Sequence, residues 1–218
     1  MTAGRAGAGA GGAGPAGQPT GLALLTVPGA RPGRLVVHAV GLVAVAGLIA
    51  VALFFDGAAV AVFALVLGGL TALRVLQLPA ALQATTGLAI QGAAWASALR
   101  GYEQIWWLDI VAHLVVNGLL AAAAGLMLYR AGLTPGAAGR RGRWALAITT
   151  TGAGAVLAIV WEIAEWFGYA FVDPTIDVAP ADTTGDLAAA LIGSALAGLV
   201  LARRVRPRQG ADGAKGPR

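Results

Sequence analysis

Long apolar runs, separated by short breaks that carry charge or glycine, fill most of the chain from residue 35 onward. A bilayer hydrocarbon core about 30 Å thick needs about 20 helical residues, and roughly 17 are still enough. Five runs reach that length, and a shorter sixth is extended upstream by the turn around Asp182. The runs cover residues 35–55, 57–73, 78–99, 106–129, 144–167 and 187–202. The pattern predicts an all-α polytopic membrane protein with a bundle of six transmembrane helices.

The third run is more polar than the others. It contains Gln83, Thr85, Thr86, Gln91 and Ser97. A bundle of five crossings with a re-entrant third segment is therefore the main alternative to six. Polar side chains such as these glutamines can hydrogen-bond between helices in lipid, so we place them outside any functional site.

The two ends of the chain differ from its middle. Residues 1–34 are rich in Gly, Ala and Pro and are predicted to form a disordered cytoplasmic tail. The only apolar stretch there, residues 22–27, is too short for the core of a cleavable signal peptide. Residues 203–218 form a basic tail, predicted to be cytoplasmic and solvated at the lipid surface. The transmembrane domain is thus expected over residues 35–202.

Composition supports a membrane protein. Hydrophobic residues make up 58% of the chain and charged residues only 11%, against roughly 25% charged residues in soluble domains. The net charge of +5 comes mainly from loop arginines beside apolar runs, where basic residues set orientation and attract anionic lipid. Membrane lipid, and not nucleic acid, is the expected partner. The absence of cysteine excludes disulfides, thiolate catalysis and cysteine-ligated metals.

The charges are also sorted by side of the membrane. With the amino terminus in the cytoplasm, fourteen of the fifteen Lys and Arg residues are cytoplasmic, and only Arg100 is not. Of the ten acidic residues only Asp212 is cytoplasmic, and five of the six tryptophans lie toward outer helix ends. Cytoplasmic loops of membrane proteins are enriched in Lys and Arg. We expect a multi-pass protein of the inner or plasma membrane with both termini in the cytoplasm.

Three pairs of ionisable residues lie at helical spacing near the predicted outer face. They are Asp109 with His113, Glu162 with Glu165, and Asp182 with Asp186. Residues three or four apart share one face of a helix. At about 1.5 Å per residue, His113 lies roughly 10 Å below the outer interface and Glu162 roughly 7–8 Å below it. The side chains are therefore expected to meet.

Charged groups in hydrocarbon are costly and face one another or a wet cavity. One imidazole among several carboxylates suits a divalent cation, because His favours zinc or manganese and carboxylate oxygens favour magnesium, calcium or manganese. The predicted metal ligands are Asp109, His113, Glu162, Asp182 and Asp186, and Glu162 and Glu165 are the candidate general bases. The same groups would equally suit a proton relay.

Each pair also has a structural interpretation. Asp109 and His113 could form a satisfied ion pair, and Glu165 could be solvated near the interface. Asp182 or Thr183 could be the N-cap of the sixth helix, with Asp186 favoured by the helix dipole. Asp173 and Asp177 are interpreted as loop residues, Asp56 as a turn residue, and His38 as the mark of a helix end.

Over roughly residues 78–202 the chain resembles the YjdF-like inner-membrane proteins, a multi-pass family without an established activity. The likeness runs through Leu-Arg-Gly-Tyr-Glu-Gln-Ile-Trp-Trp-Leu-Asp (99–109), Asp-x-x-x-His (109–113), Trp-Glu-Ile-Ala-Glu-Trp (161–166) and Asp-Thr-Thr-Gly-Asp (182–186). One departure is Ile110, where family members often have lysine. The spacing is also similar in outline to VanZ-like membrane proteins. Neither resemblance implies a known reaction.

Three classes of function fit these features. The first is an intramembrane enzyme whose cation-bound water attacks a lipid-linked or small substrate, with Glu162 or Glu165 as general base. The second is a proton- or cation-coupled transporter of small solutes. Six short helices without an obvious inverted repeat argue against it, although a homo-oligomer could supply a pathway. The third is a structural or accessory protein whose polar pairs only fix helix packing.

The sequence also repeats small residues at spacing four around Gly193, a pattern that arises easily by chance in a chain with 33 glycines.

Overall fold

The computed structural model describes residues 26–134 and 138–205, and their regular secondary structure consists of helices alone. The seven helices are α1 (Arg31–Phe54), α2 (Gly57–Val75), α3 (Ala80–Ala98), the short α4 (Gly101–Gln104), α5 (Leu108–Arg130), α6 (Gly139–Phe171) and α7 (Pro180–Arg204). The predicted all-α class is confirmed. Residues 1–25 and 206–218 of the two predicted tails lie outside the described residues.

Five of these helices are long and apolar enough to cross a membrane: α1, α2, α5, α6 and α7. The helix α3, with 19 residues, is not among them. The described residues therefore contain several candidate membrane-spanning helices, and the count of six stays a prediction.

The helix ends follow local chemistry. Asp56, predicted as a turn residue, is the N-cap of α2, and its carboxylate accepts a hydrogen bond from the Ala59 amide at 2.9 Å. Proline opens α7 at Pro180, where the missing N–H has no intrahelical acceptor to lose. The N-cap of α7 is Ala179, without a side-chain bond. The hypothesis that Asp182 or Thr183 caps this helix is therefore wrong, because the proline starts the helix upstream of both.

The helices form two groups of three. In the first, α1, α2 and α3 pack around Phe63. The Trp95 ring packs edge-on against the Phe63 ring, with the two ring centroids 4.9 Å apart. The Gln91 amide donates to the Val40 carbonyl oxygen at 3.2 Å, which joins α3 to α1 as predicted for this glutamine. In the second group, α5, α6 and α7 pack on one another, and α3 joins the groups by packing against α5.

Glycines bring the backbones of the second group together. A methyl group added at Gly118 of α5 would lie 2.9 Å from the Gly193 carbonyl oxygen of α7. A methyl group at Gly193 would collide with the Leu114 carbonyl oxygen, and one at Gly154 of α6 would collide with Ser194. The small residues around Gly193 therefore lie where the backbones of α5 and α7 approach closely.

The outside of the bundle is apolar. Large hydrophobic side chains with half or more of their surface exposed occur on α1, α2, α6 and α7, among them Leu42, Leu53, Leu65, Ile148, Val160 and Ile192. Exposed apolar surface on this scale is typical of a protein that contacts lipid.

Candidate metal centre

His113 stands at the centre of a cluster that three helices build at one end of the second group. Its Nε2 atom lies 3.5 Å from Asp109 Oδ1, one turn earlier on α5, and 3.9 Å from Asp186 Oδ2 on α7. Its Nδ1 atom lies 3.8 Å from Glu162 Oε1 on α6. The two sides of one imidazole thus face different carboxylates.

These side chains are withdrawn from the surface to different degrees. The Asp186 side chain is 3% exposed, those of His113 and Glu162 are each 10% exposed, and that of Asp109 is 28% exposed. Glu162 Oε1 is buried and accepts no hydrogen bond from any described residue. A buried carboxylate oxygen without a hydrogen-bond donor is costly, and the imidazole nitrogen that faces this atom, His113 Nδ1, lies 3.8 Å away, beyond hydrogen-bond distance.

Two sets of ligand atoms lie within the span that one ion can bridge. Asp109, His113 and Asp186 form one set, and His113, Glu162 and Glu165 form the other; within each set the ligand atoms lie within 4.8 Å of one another. Ligand distances of about 2.0–2.6 Å from a divalent cation place opposite ligands about 4–5 Å apart. Either set therefore suits one ion, and His113 belongs to both.

The structure brings together five of the six ionisable residues that the sequence singled out. Asp182 is the exception, because it lies in the first turn of α7, one turn before Asp186, and belongs to neither ligand set. Asp173 and Asp177 are loop residues, as predicted. Asp173 Oδ1 accepts hydrogen bonds from the Thr175 amide and hydroxyl, which lower the pKa of that carboxyl.

The cluster carries more negative than positive charge. In the described part of the chain its ion pairs all run through His113, and no Lys or Arg takes part. Arg100, at the same end of the bundle, is paired instead with Glu103 at 2.9 Å. Four carboxylates thus share one imidazole, so a simple ion pair between Asp109 and His113 leaves the remaining carboxylates without a positive partner.

The helices close directly beneath the cluster. Asn117, one turn further along α5 than His113, donates to the Gly154 and Ala190 carbonyl oxygens and to Ser194 Oγ, at 3.1, 3.2 and 2.8 Å. This asparagine was not predicted from the sequence, although 109, 113 and 117 continue the same four-residue spacing on α5. With the contact between Gly118 and Gly193, these bonds tie α5, α6 and α7 together below the site.

Tyr102 of α4 is a second residue that was not predicted from the sequence. Its hydroxyl donates to the Ala93 carbonyl oxygen of α3 at 3.0 Å. Burial raises the pKa of Tyr102, and the negative charges of Asp109, Glu165 and Asp186 raise it further. Tyr102 therefore remains a neutral donor.

Comparison with known proteins gives one match. A family model described as "Predicted membrane protein (DUF2238)" matches residues 33–207, which is most of the chain. No curated protein and no solved structure matches. The match agrees with the multi-pass membrane family expected from the sequence, while neither the YjdF-like nor the VanZ-like name forms part of it.

Proposed function

The chain belongs to this family of predicted membrane proteins, and we propose that it binds a divalent cation at the His113 cluster, on the outer side of the membrane. The bound cation would serve chemistry on a lipid-linked or small substrate. The observation that carries the proposal is the excess of carboxylates around one imidazole within apolar helices.

The energetic argument for a cation is direct. An ionised side chain in the hydrocarbon region costs at least about 2.5–3.5 kcal/mol at mid-helix on insertion scales, and less toward the interface. Asp186 and Glu162 lie on helices with membrane-spanning character, and both are at least nine-tenths buried. A divalent cation offsets two negative charges at once.

Six crossings and an outward site follow as part of the proposal. At one end of α3, Leu82 packs near Leu126 and Met127 of α5, and at the other end Tyr102 bonds to Ala93. The helix α3 therefore runs antiparallel to α5 over a comparable depth, which supports a sixth crossing. The opposite end of the bundle from the cluster carries Arg74, Arg130, Arg203 and Arg204, and the positive-inside rule assigns that end to the cytoplasm of a cell membrane.

The geometry favours the ion on the Nε2 side of His113. Asp186 and Asp109 would join the imidazole as ligands there, at positions now 3.9 and 3.5 Å from Nε2. A metal-bound histidine usually gives its other N–H to a carboxylate, and Glu162 stands 3.8 Å from Nδ1 in that role. One nitrogen with carboxylate oxygens suits Mn²⁺ or Zn²⁺ better than Ca²⁺.

A hydrolytic reaction is the chemistry this arrangement supports best. Glu165 belongs to the second ligand set, with His113 and Glu162, and is not needed as a ligand on the Nε2 side. Glu165 would take a proton from the attacking water as that water bonds to the substrate's acyl or phosphoryl centre, and a bound cation would supply stabilisation of the developing negative charge. The bond to the leaving group would then break, with the proton returned from Glu165 to that group.

A proton- or cation-coupled transporter is the second candidate, because clustered carboxylates also hold protons. The closed contacts beneath the site argue against it. Asn117 and the pair Gly118 and Gly193 fill the space through which a solute would pass within one chain. A gradient-dependent flux in proteoliposomes that is lost in Glu162→Gln would favour transport over our proposal.

Mn²⁺ binding tests the cation site itself. We expect the purified protein to bind Mn²⁺, with binding measured by the loss of the free-ion signal in electron paramagnetic resonance. We expect Glu162→Gln to weaken this binding 10- to 100-fold. The reason is that the amide no longer fixes the imidazole as a carboxylate does. Glu103→Gln is the matched control, because Glu103 is exposed and paired with Arg100 away from the cluster. Equal affinities for the two variants, or no Mn²⁺ binding by the unmodified protein, would refute the site.

A further inference from the structure

A small open groove lies between α3 and α5. It has a volume of about 170 Å³. The side chains of α3 that face this groove are too small to fill it, and valines of α5 with Tyr102 of α4 complete its wall. The main lining residues are Ala89, Gly92, Ala93, Ala96, Val111 and Val115. Nothing lies within 4 Å of a methyl group built at Gly92. The seam between the two helix groups is therefore incompletely filled.

The groove and the acidic cluster occupy adjoining faces of α5. Leu108 and Ala112 border the groove and directly precede Asp109 and His113 in the chain. Tyr102 lines the groove, and the negative charges of Asp109, Glu165 and Asp186 add to the rise in its pKa that burial causes. The groove follows α5 from the depth of Asp109 to that of Asn117, about 12 Å. This is the direction in which a chain of an outer-leaflet lipid descends from its head group.

We propose, resting on the cation site above, that the groove holds one acyl chain of a phosphatidylethanolamine-type lipid whose head group lies at the cluster. A phosphate oxygen of this lipid would bind the cation, and its ammonium group would pair with a carboxylate that the cation leaves free. The substrate of the proposed chemistry is thus an amine-bearing phospholipid of the outer leaflet.

Charge complementarity selects this head group. One divalent cation among four carboxylates leaves net negative charge, and no Lys or Arg among the described residues pairs with them. An anionic head group such as phosphatidylglycerol would add repulsion, whereas an ammonium group offsets the excess. The apolar lining of the groove binds the acyl chain of the lipid, and it offers no polar group that could bind a free phosphate ion.

A second groove in the same molecule provides the comparison. It lies between α6 and α7 toward the basic end, with Trp144, Ile148, Gly152 and Leu199 in its wall, and has a volume of about 410 Å³. It contains no ionisable residue in its lining. Bulk lipid should occupy this groove without preference for a head group. Gly152, like Gly92, has open space beside it, so leucine at either position fills a groove.

Photocrosslinking tests the proposal. The full chain is placed in phosphatidylcholine nanodiscs with Mn²⁺ and a trace of phosphatidylethanolamine that carries a diazirine on one acyl chain. We expect crosslinks on the peptides that contain residues 89–96 and 108–116. Their yield should fall at least fivefold in Gly92→Leu, after chelation of Mn²⁺, or with a phosphatidylglycerol probe of the same chain. Gly152→Leu should keep the full yield.

Three results would overturn the proposal: equal yields from the two probes, a yield that chelation leaves unchanged, or a yield that Gly92→Leu leaves unchanged in protein that elutes as a single folded species. Mn²⁺ titration of the unmodified protein, run in the same nanodiscs, separates the two hypotheses. If Mn²⁺ binds and the groove stays unlabelled, the lipid assignment fails and the cation site stands. If Mn²⁺ does not bind, the cation site itself fails.

Discussion

Replacing His113 with alanine is expected to lower Mn²⁺ affinity at least 100-fold, the largest functional effect of any single change in the cluster. His113 is the one residue common to both possible ligand sets. Its removal also takes away the only nitrogen ligand and the only group of the cluster that can carry a positive charge. Titration with Mn²⁺, monitored by paramagnetic resonance, measures the loss.

A ligand that binds only the folded state stabilises it by about 2.7 kcal/mol at 100 times its Kd. Saturating Mn²⁺ should therefore raise the unfolding temperature of the unmodified protein and leave that of His113→Ala unchanged. His38→Ala is the matched control, because His38 is the other histidine of the chain and lies exposed on α1. His113→Gln keeps the side-chain bulk where alanine disturbs folding. Tight Mn²⁺ binding by either His113 variant would contradict the assignment.

The helices could be predicted from the sequence because uninterrupted apolar runs have few alternatives in lipid. The exact limits of α6 could not, since Arg140, Arg141 and Arg143 end the apolar run without ending the helix. The helix continues through them to Gly139, and at its other end through aromatic residues to Phe171. Hydropathy reports where lipid begins, whereas hydrogen bonding determines where a helix ends.

Pairing within one helix was the predictable part of the site. The spacing of Asp109 and His113, and of Glu162 and Glu165, fixes each pair on one face whatever surrounds it. Which acidic residue of α7 faces the imidazole was not predictable. That choice depends on how far α7 slides along α5, and the contact of Gly193 with Leu114 sets this register. Asp186 consequently meets His113, and Asp182 lies one turn beyond.

The residues that could not be predicted from the sequence act between helices. Asn117 satisfies acceptors on α6 and α7 at once, and Tyr102 links the short α4 to α3. Tyr102 lies in the 99–109 segment that carries the family resemblance, and Asn117 continues the four-residue spacing of Asp109 and His113, but neither pattern indicates which helix the side chain contacts. Their partners are backbone carbonyls and a serine, so a search for ionisable clusters does not reach them.

Replacing Gly193 with alanine is expected to destabilise the protein by about 3 kcal/mol, the largest structural effect of a single methyl group. The added methyl group would collide with the Leu114 carbonyl oxygen, a backbone atom that moves only with α5 itself. The two helices must then separate, which weakens the neighbouring contact at Gly118 and draws Asp186 away from His113. Unfolding in mixed micelles, with Mn²⁺ affinity measured in parallel, tests both consequences.

Gly152→Ala is the matched control for this substitution, because Gly152 is also a helical glycine but has open space beside it. The same methyl group there should stabilise the protein by about 0.5–1 kcal/mol through helix propensity alone. The opposite signs of the two changes would assign the effect at Gly193 to the close approach of α5 and α7. Equal effects at both positions would show instead that this contact does not hold the helices in register, and the position of Asp186 beside His113, with Asp182 one turn away, would then need a different physical cause.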